Sequence, residues 1–118
     1  MFAGNNKMVI MKPDMQIKEI ESLDSCSIIH FSKTLGETDV SPFNVIHASI
    51  KPGGNTERDQ HKVREYWFIA HGSGRLVLND HEMFNVAKGE LYYFDSMVSH
   101  QLFNLSDQED LEILSMWW

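Results

Sequence analysis

The chain has 118 residues, 42% hydrophobic, 11% aromatic and 23% charged. That balance fits one globular domain and excludes a disordered or collagen-like chain. Ten Lys and Arg against seventeen Asp and Glu leave a net charge of −7, the wrong sign for a main partner that is nucleic acid or an anionic membrane.

No apolar run approaches the roughly 20 residues needed to cross a bilayer. The opening Met1-Phe2-Ala3-Gly4-Asn5-Asn6-Lys7 lacks the basic start and apolar core of a signal peptide. Cys26 is the single cysteine, so it has no intrachain disulfide partner. Together these point to a cytoplasmic protein. Residues 1–14 are polar and Met-rich and end in Pro13-Asp14; they read as an arm, flexible or interface-forming, ahead of one domain over 15–118. Met15–Ser22 fits a short helix or a strand equally well. Strands are then predicted at Ser27–Phe31, Phe43–Ile50, Arg64–Ala70, Arg75–Leu78, Met83–Val86, Leu91–Phe94, Gln101–Leu105 and Leu111–Trp117. Between them fall the breakers Ser41-Pro42, Pro52-Gly53-Gly54, Gly72-Ser73-Gly74, Asn79-Asp80, Lys88-Gly89-Glu90 and Ser106-Asp107. Short apolar runs with turn signals about 8–12 residues apart are the mark of an all-β sandwich or barrel. The terminal Trp117-Trp118 pair needs an apolar partner, either a dimer interface or the end of the barrel.

Residues able to bind a metal fall in two clusters. Asp59 and His61 are two apart, so on a strand both point to one face. The same parity turns Glu65, Trp67 and Ile69 inward. His100 opens a later strand, and closing a β-sandwich brings distant strands side by side, so it can complete a set of four ligands. Imidazoles and carboxylates held on packed strands are pre-organised, as a metal site requires.

The spacing Gly53, five residues, Asp59-x-His61, three residues, Glu65, six residues, Gly72 resembles the first signature motif of the cupins, with Asp59 where the first His normally stands. Gly89, ten residues, His100, three residues, Asn104 resembles the second motif, with Asp95 and Met97 in place of its usual Pro and Gly. The resemblance covers roughly residues 43–118. It implies a double-stranded β-helix, or jelly-roll barrel, with a metal inside and a homodimeric assembly. Carried over by position, the metal ligands are Asp59, His61, Glu65 and His100.

Two imidazoles with one or two carboxylates suit a divalent first-row metal, Fe(II) or Mn(II) ahead of Zn(II) or Ni(II). His61, Glu65 and His100 alone make a two-His, one-carboxylate set with open positions. Such a site can act as Lewis acid or redox centre on a small molecule. Dioxygenase-type chemistry is therefore preferred over isomerase or epimerase and lyase or cyclase chemistry. The alternative is a non-catalytic sensor or ligand-binding module. Trp67, Ile69, Tyr93 and Phe103 are expected to wall the substrate pocket, with His47 within reach. Asp59 and Tyr93 are the candidate catalytic groups. Metal affinity is expected to weaken below about pH 6.5 as the imidazoles protonate.

Overall fold

The computed structural model describes residues 17–35, 37–39 and 41–118; the arm read at residues 1–14 lies outside them. The described residues form eleven strands and no helix: β1 (Ile17–Ser22), β2 (Cys26–Phe31), β3 (Thr34–Leu35), β4 (Thr38–Asp39), β5 (Asn44–Ile50), β6 (Glu65–His71), β7 (Ser73–Leu78), β8 (Glu82–Ala87), β9 (Leu91–Phe94), β10 (His100–Phe103) and β11 (Leu111–Trp117). Among them no helix is long and apolar enough to cross a membrane. The eight strands predicted from apolar runs are all present, within two residues at each end. Of the ambiguous Met15–Ser22 segment, the described part, Ile17–Ser22, is strand β1, and the two-residue strands β3 and β4 pair with each other.

A six-stranded sheet in the order β1-β2-β5-β11-β6-β9 faces a three-stranded sheet in the order β10-β7-β8, and every pairing is antiparallel. The last strand, β11, thus lies in the middle of the large sheet, between β5 and β6. β6 alternates strictly, with Glu65, Trp67 and Ile69 buried and Tyr66 and Phe68 exposed. Ile50, Ile69, Leu76, Leu102, Leu111 and Ile113 are essentially sealed from solvent and draw on both sheets. At about 1.5–3 kcal/mol for each fully buried side chain of this size, they are the main force closing the sandwich. β1 is exposed along its length and carries Lys18, Glu19 and Glu21; charges of this kind discourage edge-to-edge pairing.

One feature of each motif acquires a structural reason. Asn104 is buried, its amide donating to Ile50 O at 3.0 Å and Glu109 O at 2.8 Å while its oxygen accepts from Ser106 N at 3.0 Å. It therefore ties the end of β5 to the turn that leads into β11. Gly72, between β6 and β7, has a φ of 82°, and a side chain there would run into the backbone of Asp110. Only glycine meets both demands without strain.

Trp117 and Trp118 part company. Trp117 is half-buried and faces the barrel interior, whereas Trp118 lies on the outer surface against Phe43 and Tyr66, with ring centroids 5.4 and 5.5 Å apart.

Replacing Asn104 by alanine strands the buried Ile50 carbonyl and removes the partner of the half-buried Glu109 carbonyl. A loss of about 2–3 kcal/mol is expected, read as a lower urea midpoint of the metal-free protein; an unchanged midpoint would contradict this role.

Candidate metal centre

Glu65 is the first residue of β6 and His100 the first of β10, so the two sheets bring them face to face. Both are buried, and Glu65 Oε1 lies 3.2 Å from His100 Nε2. The other carboxylate oxygen, Oε2, accepts hydrogen bonds from Trp67 Nε1 at 2.7 Å and from the hydroxyl of Ser115 on β11. These two donors fix the carboxylate plane. Oε1 itself receives no well-formed hydrogen bond, so its contact with His100 is one of charge more than of directed bonding.

The His100 ring is held from three sides. It stacks on Phe94 with centroids 4.8 Å apart and planes 7° from parallel, and Trp67 meets it edge-on at 5.0 Å. Its Nδ1 lies 3.1 Å from the carbonyl oxygen of Val98. A carbonyl can only accept, so Nδ1 carries a proton, which leaves Nε2, on the Glu65 side, as the nitrogen that can release its proton and ligate.

Asp59 and His61 arrive by a different route from the one parity predicts. The segment from Lys51 to Arg64 is not a regular strand. Asp59 makes an isolated antiparallel bridge to His100, with N–H to O distances of 3.0 and 2.9 Å. The loop before His100 is then fastened across this segment: Met97 N–H donates to His61 O at 2.6 Å, Gln60 Nε2 to Met97 O at 2.9 Å and Ser96 Oγ to Lys62 O at 2.7 Å. Met97, at the position of the usual glycine, has a φ of 69°. That conformation costs a residue with a Cβ about 1–2 kcal/mol, offset here by the bonds that hold the loop. As a result, ligand atoms of Asp59, His61 and His100 lie within 4.8 Å of one another. Glu65 stands outside that cluster, beside it, and touches only His100 of the three.

The donor chemistry fits a divalent ion. One imidazole already has Nδ1 engaged and Nε2 turned to the site, and a buried carboxylate oxygen lacks a well-formed hydrogen bond. An orphaned buried oxygen of this kind is costly unless a cation completes it. Asp59, His61 and His100, with Glu65, are the residues that would hold the metal.

Asp59, His61 and Glu65 line a cavity of about 320 Å³, while His100 lies behind its wall. Its walls include Trp67, Ile28, Ile46, Ala48, Val63, Ile113 and Trp117, with Thr56, Glu57, Glu21, Leu23 and Cys26 completing them. The expected wall is corrected at four places. Ile69 is wholly buried within the core and does not reach the cavity. Tyr93 is 47% exposed on the outer face, its ring 5.4 Å from that of Tyr66, which removes it as a catalytic candidate; the inward neighbours are Tyr92 and Phe94. His47 points outward between inward-facing Ile46 and Ala48 and pairs with Glu112 at 2.9 Å. Phe103 lies beyond the site, opposite Arg75 in the small sheet. The inward residues of β11 were missed because that strand carries apolar residues on both faces, Ile113 and Trp117 inward and Leu114 and Met116 outward; in β5 the His47 and Ser49 positions mark the outer face, and the expectation placed His47 on the wrong side. Cys26 lines the cavity with its thiol pushed up, chiefly by burial, and so is unreactive.

Burial alone would raise the Glu65 carboxyl, but His100 and the donors Ser115 and Trp67 outweigh it and hold the group below its ordinary value of 4.5. For His100, burial disfavours the imidazolium, yet the Glu65 carboxylate, the Val98 carbonyl and Asp59 prevail and raise it above 6.5. A lowered acid stabilises the fold above about pH 4.5 and loses that contribution as pH falls through its folded value. A raised imidazole stabilises below about pH 6.5 and loses it as pH climbs through its own folded value. In metal-free protein the pair therefore contributes most between about pH 4.5 and 6.5. Urea midpoints of the wild type and Glu65→Gln should differ most inside that window; a difference independent of pH would contradict the coupling. Because metal must displace the proton on His100, metal affinity is expected to start falling at a pH above 6.5.

The profile of the Cupin domain family matches residues 46–117. Solved structures with the same fold include the plu4264 protein of Photorhabdus luminescens, 22% identical with a TM-score of 0.73 over 96% of this chain and 88% of that one. A deletion mutant of the oxalate decarboxylase OxdC of Bacillus subtilis is 24% identical, TM-score 0.72, over 84% of this chain. This chain spans only 27% of that protein's length. KdgF from a Halomonas species is 11% identical, TM-score 0.68, over 85% of this chain and 84% of that one. At these identities the likeness is one of fold. With its strands from β5 to β11 covered by the profile, the chain belongs to the cupin domain family.

Proposed function

We propose that this cupin binds one divalent first-row metal, Fe(II) or Mn(II) ahead of Zn(II) or Ni(II), and transforms a small organic molecule in the barrel with dioxygen as co-substrate. The observation that carries this reading is the buried Oε1 of Glu65, without a well-formed hydrogen bond, beside the oriented Nε2 of His100, with Asp59 and His61 at the same place. When bound, the metal supplies Lewis acidity and a redox centre.

The chain's own residues have separable tasks. Trp67 and Ser115 keep the Glu65 carboxylate ionised and oriented. Phe94, Trp67 and the Val98 carbonyl stop His100 from turning. His61 and Asp59 are both about half-exposed on their side chains, so this edge of the centre is open to an entering molecule. Asp59 is the carboxylate placed to take up or return a proton there. The cavity is small, at the lower end of the range for small-molecule sites, and its apolar wall excludes water from the bound substrate. Likeness to proteins named as a decarboxylase leaves other reactions open, because fold does not choose a chemistry.

Metal titration of the chelated protein tests the site. About one ion per chain is expected, as for a single centre. His61→Ala and His100→Ala should each weaken binding more than about 100-fold, and Glu65→Gln by about 10–100-fold. Retention of full affinity by the His61→Ala, His100→Ala double variant would overturn the site. Oxygen uptake by the loaded protein with aromatic or thiol substrates tests the reaction; tight substrate binding without turnover would identify a binding module.

A further inference from the structure

The sign of the cavity wall narrows the class of molecule it takes. Among the described lining residues there is no Lys or Arg, while Glu21, Glu57, Asp59 and Glu65 all contribute carboxylates. Of the neighbouring cations, Arg58 pairs with Asp80, Arg64 lies 3.8 Å from Asp95, and Lys62 is exposed between His61 and Val63 without lining the cavity. Asp59 and Glu65 would balance a bound dication, which leaves Glu21 and Glu57 uncompensated on the wall. His30 contacts Glu21 at 3.1 Å and offsets it only when protonated.

The rest of the wall is apolar and carries two indoles, Trp67 and Trp117. Indole faces attract cations and repel anions. In the metal-free protein Glu65, more than nine-tenths buried and with Oε1 lacking a well-formed hydrogen bond, adds its carboxylate to the same wall.

We infer that the substrate is a small organic amine, carried as its ammonium ion with an apolar body against Trp67 and Trp117, and not a carboxylic acid. This rests on the cavity being the substrate site of the reading above. It does not depend on the metal, because Glu21 and Glu57 are not needed to hold one. A small carboxylate would meet like charge on the wall and, among the described lining residues, no Lys or Arg to balance it. An ammonium ion gains from both acids and from the indoles.

Three probes of one size and different charge separate the possibilities: benzylamine, benzyl alcohol and benzoate. Each is titrated into metal-free protein at low salt, following the indole N–H resonances of Trp67 and Trp117 by NMR. Benzylamine is expected to bind about tenfold more tightly than benzoate, with the alcohol between, for two carboxylates within contact range. In the Glu21→Gln, Glu57→Gln double variant, altered only at exposed positions, the preference should fall at least threefold, and raised salt should weaken it in the wild type. Benzoate binding as tightly as benzylamine would overturn the inference. So would a preference untouched by the double variant, or no perturbation of either indole by benzylamine. Should metal binding fail while the amine preference holds, the metal reading falls and this one stands.

Discussion

A buried carboxylate opposite a buried imidazole, one from each sheet, is the contact that the functional region depends on. Two groups of this kind are expensive to bury, and every neighbour reduces that cost. Trp67 and Ser115 donate to the far oxygen of Glu65, Phe94 stacks on His100, and Val98 accepts its Nδ1 proton. The partners come from β6, β9, β11 and the loop before β10, so the site forms only when the sandwich closes. Fold and function therefore share one set of contacts: the middle strand β11 brings Ser115 to Glu65 while Leu111 and Ile113 fill the core beside it.

The open side of the centre is built differently. Asp59 and His61 sit on irregular chain, held by a two-bond bridge to His100 and by the loop that includes Met97. A left-handed methionine in a loop so closely tied to His61 marks a place where local strain is accepted for position. Rigid strands fix one half of the donor set and a strapped loop fixes the other. That division leaves a sheltered inner wall and an accessible outer edge, as a site that must admit and release a small molecule requires.

Much of this was legible from local pattern, and the failures have a common cause. Strand positions followed from alternation and turn residues, and parity correctly turned Glu65 and Trp67 inward. Parity misled at Asp59 and His61, which meet through a bridge to a segment about forty residues away and not through a shared strand face. It also could not choose between Tyr92 and Tyr93, since both are aromatic, nor tell which apolar face of β11 points inward. Those choices depend on which side of the strand meets the other sheet, and that information lies in the long-range pairing of β11 with β5 and β6. Ile69 was placed on the right face but at the wrong depth, since distance along a strand also decides what reaches a cavity. The tiny β3–β4 hairpin left no apolar signal to read.

The proposed convergence of Asp59, His61 and His100, with Glu65 beside them, on one ion is tested most directly by pulsed electron paramagnetic resonance of Mn(II)-loaded protein with histidine labelled by nitrogen-15. Two distinct imidazole nitrogen couplings are expected, one of them lost in His61→Ala and the other in His100→Ala. A manganese signal with no imidazole coupling, from an ion held by surface carboxylates alone, would contradict the centre described.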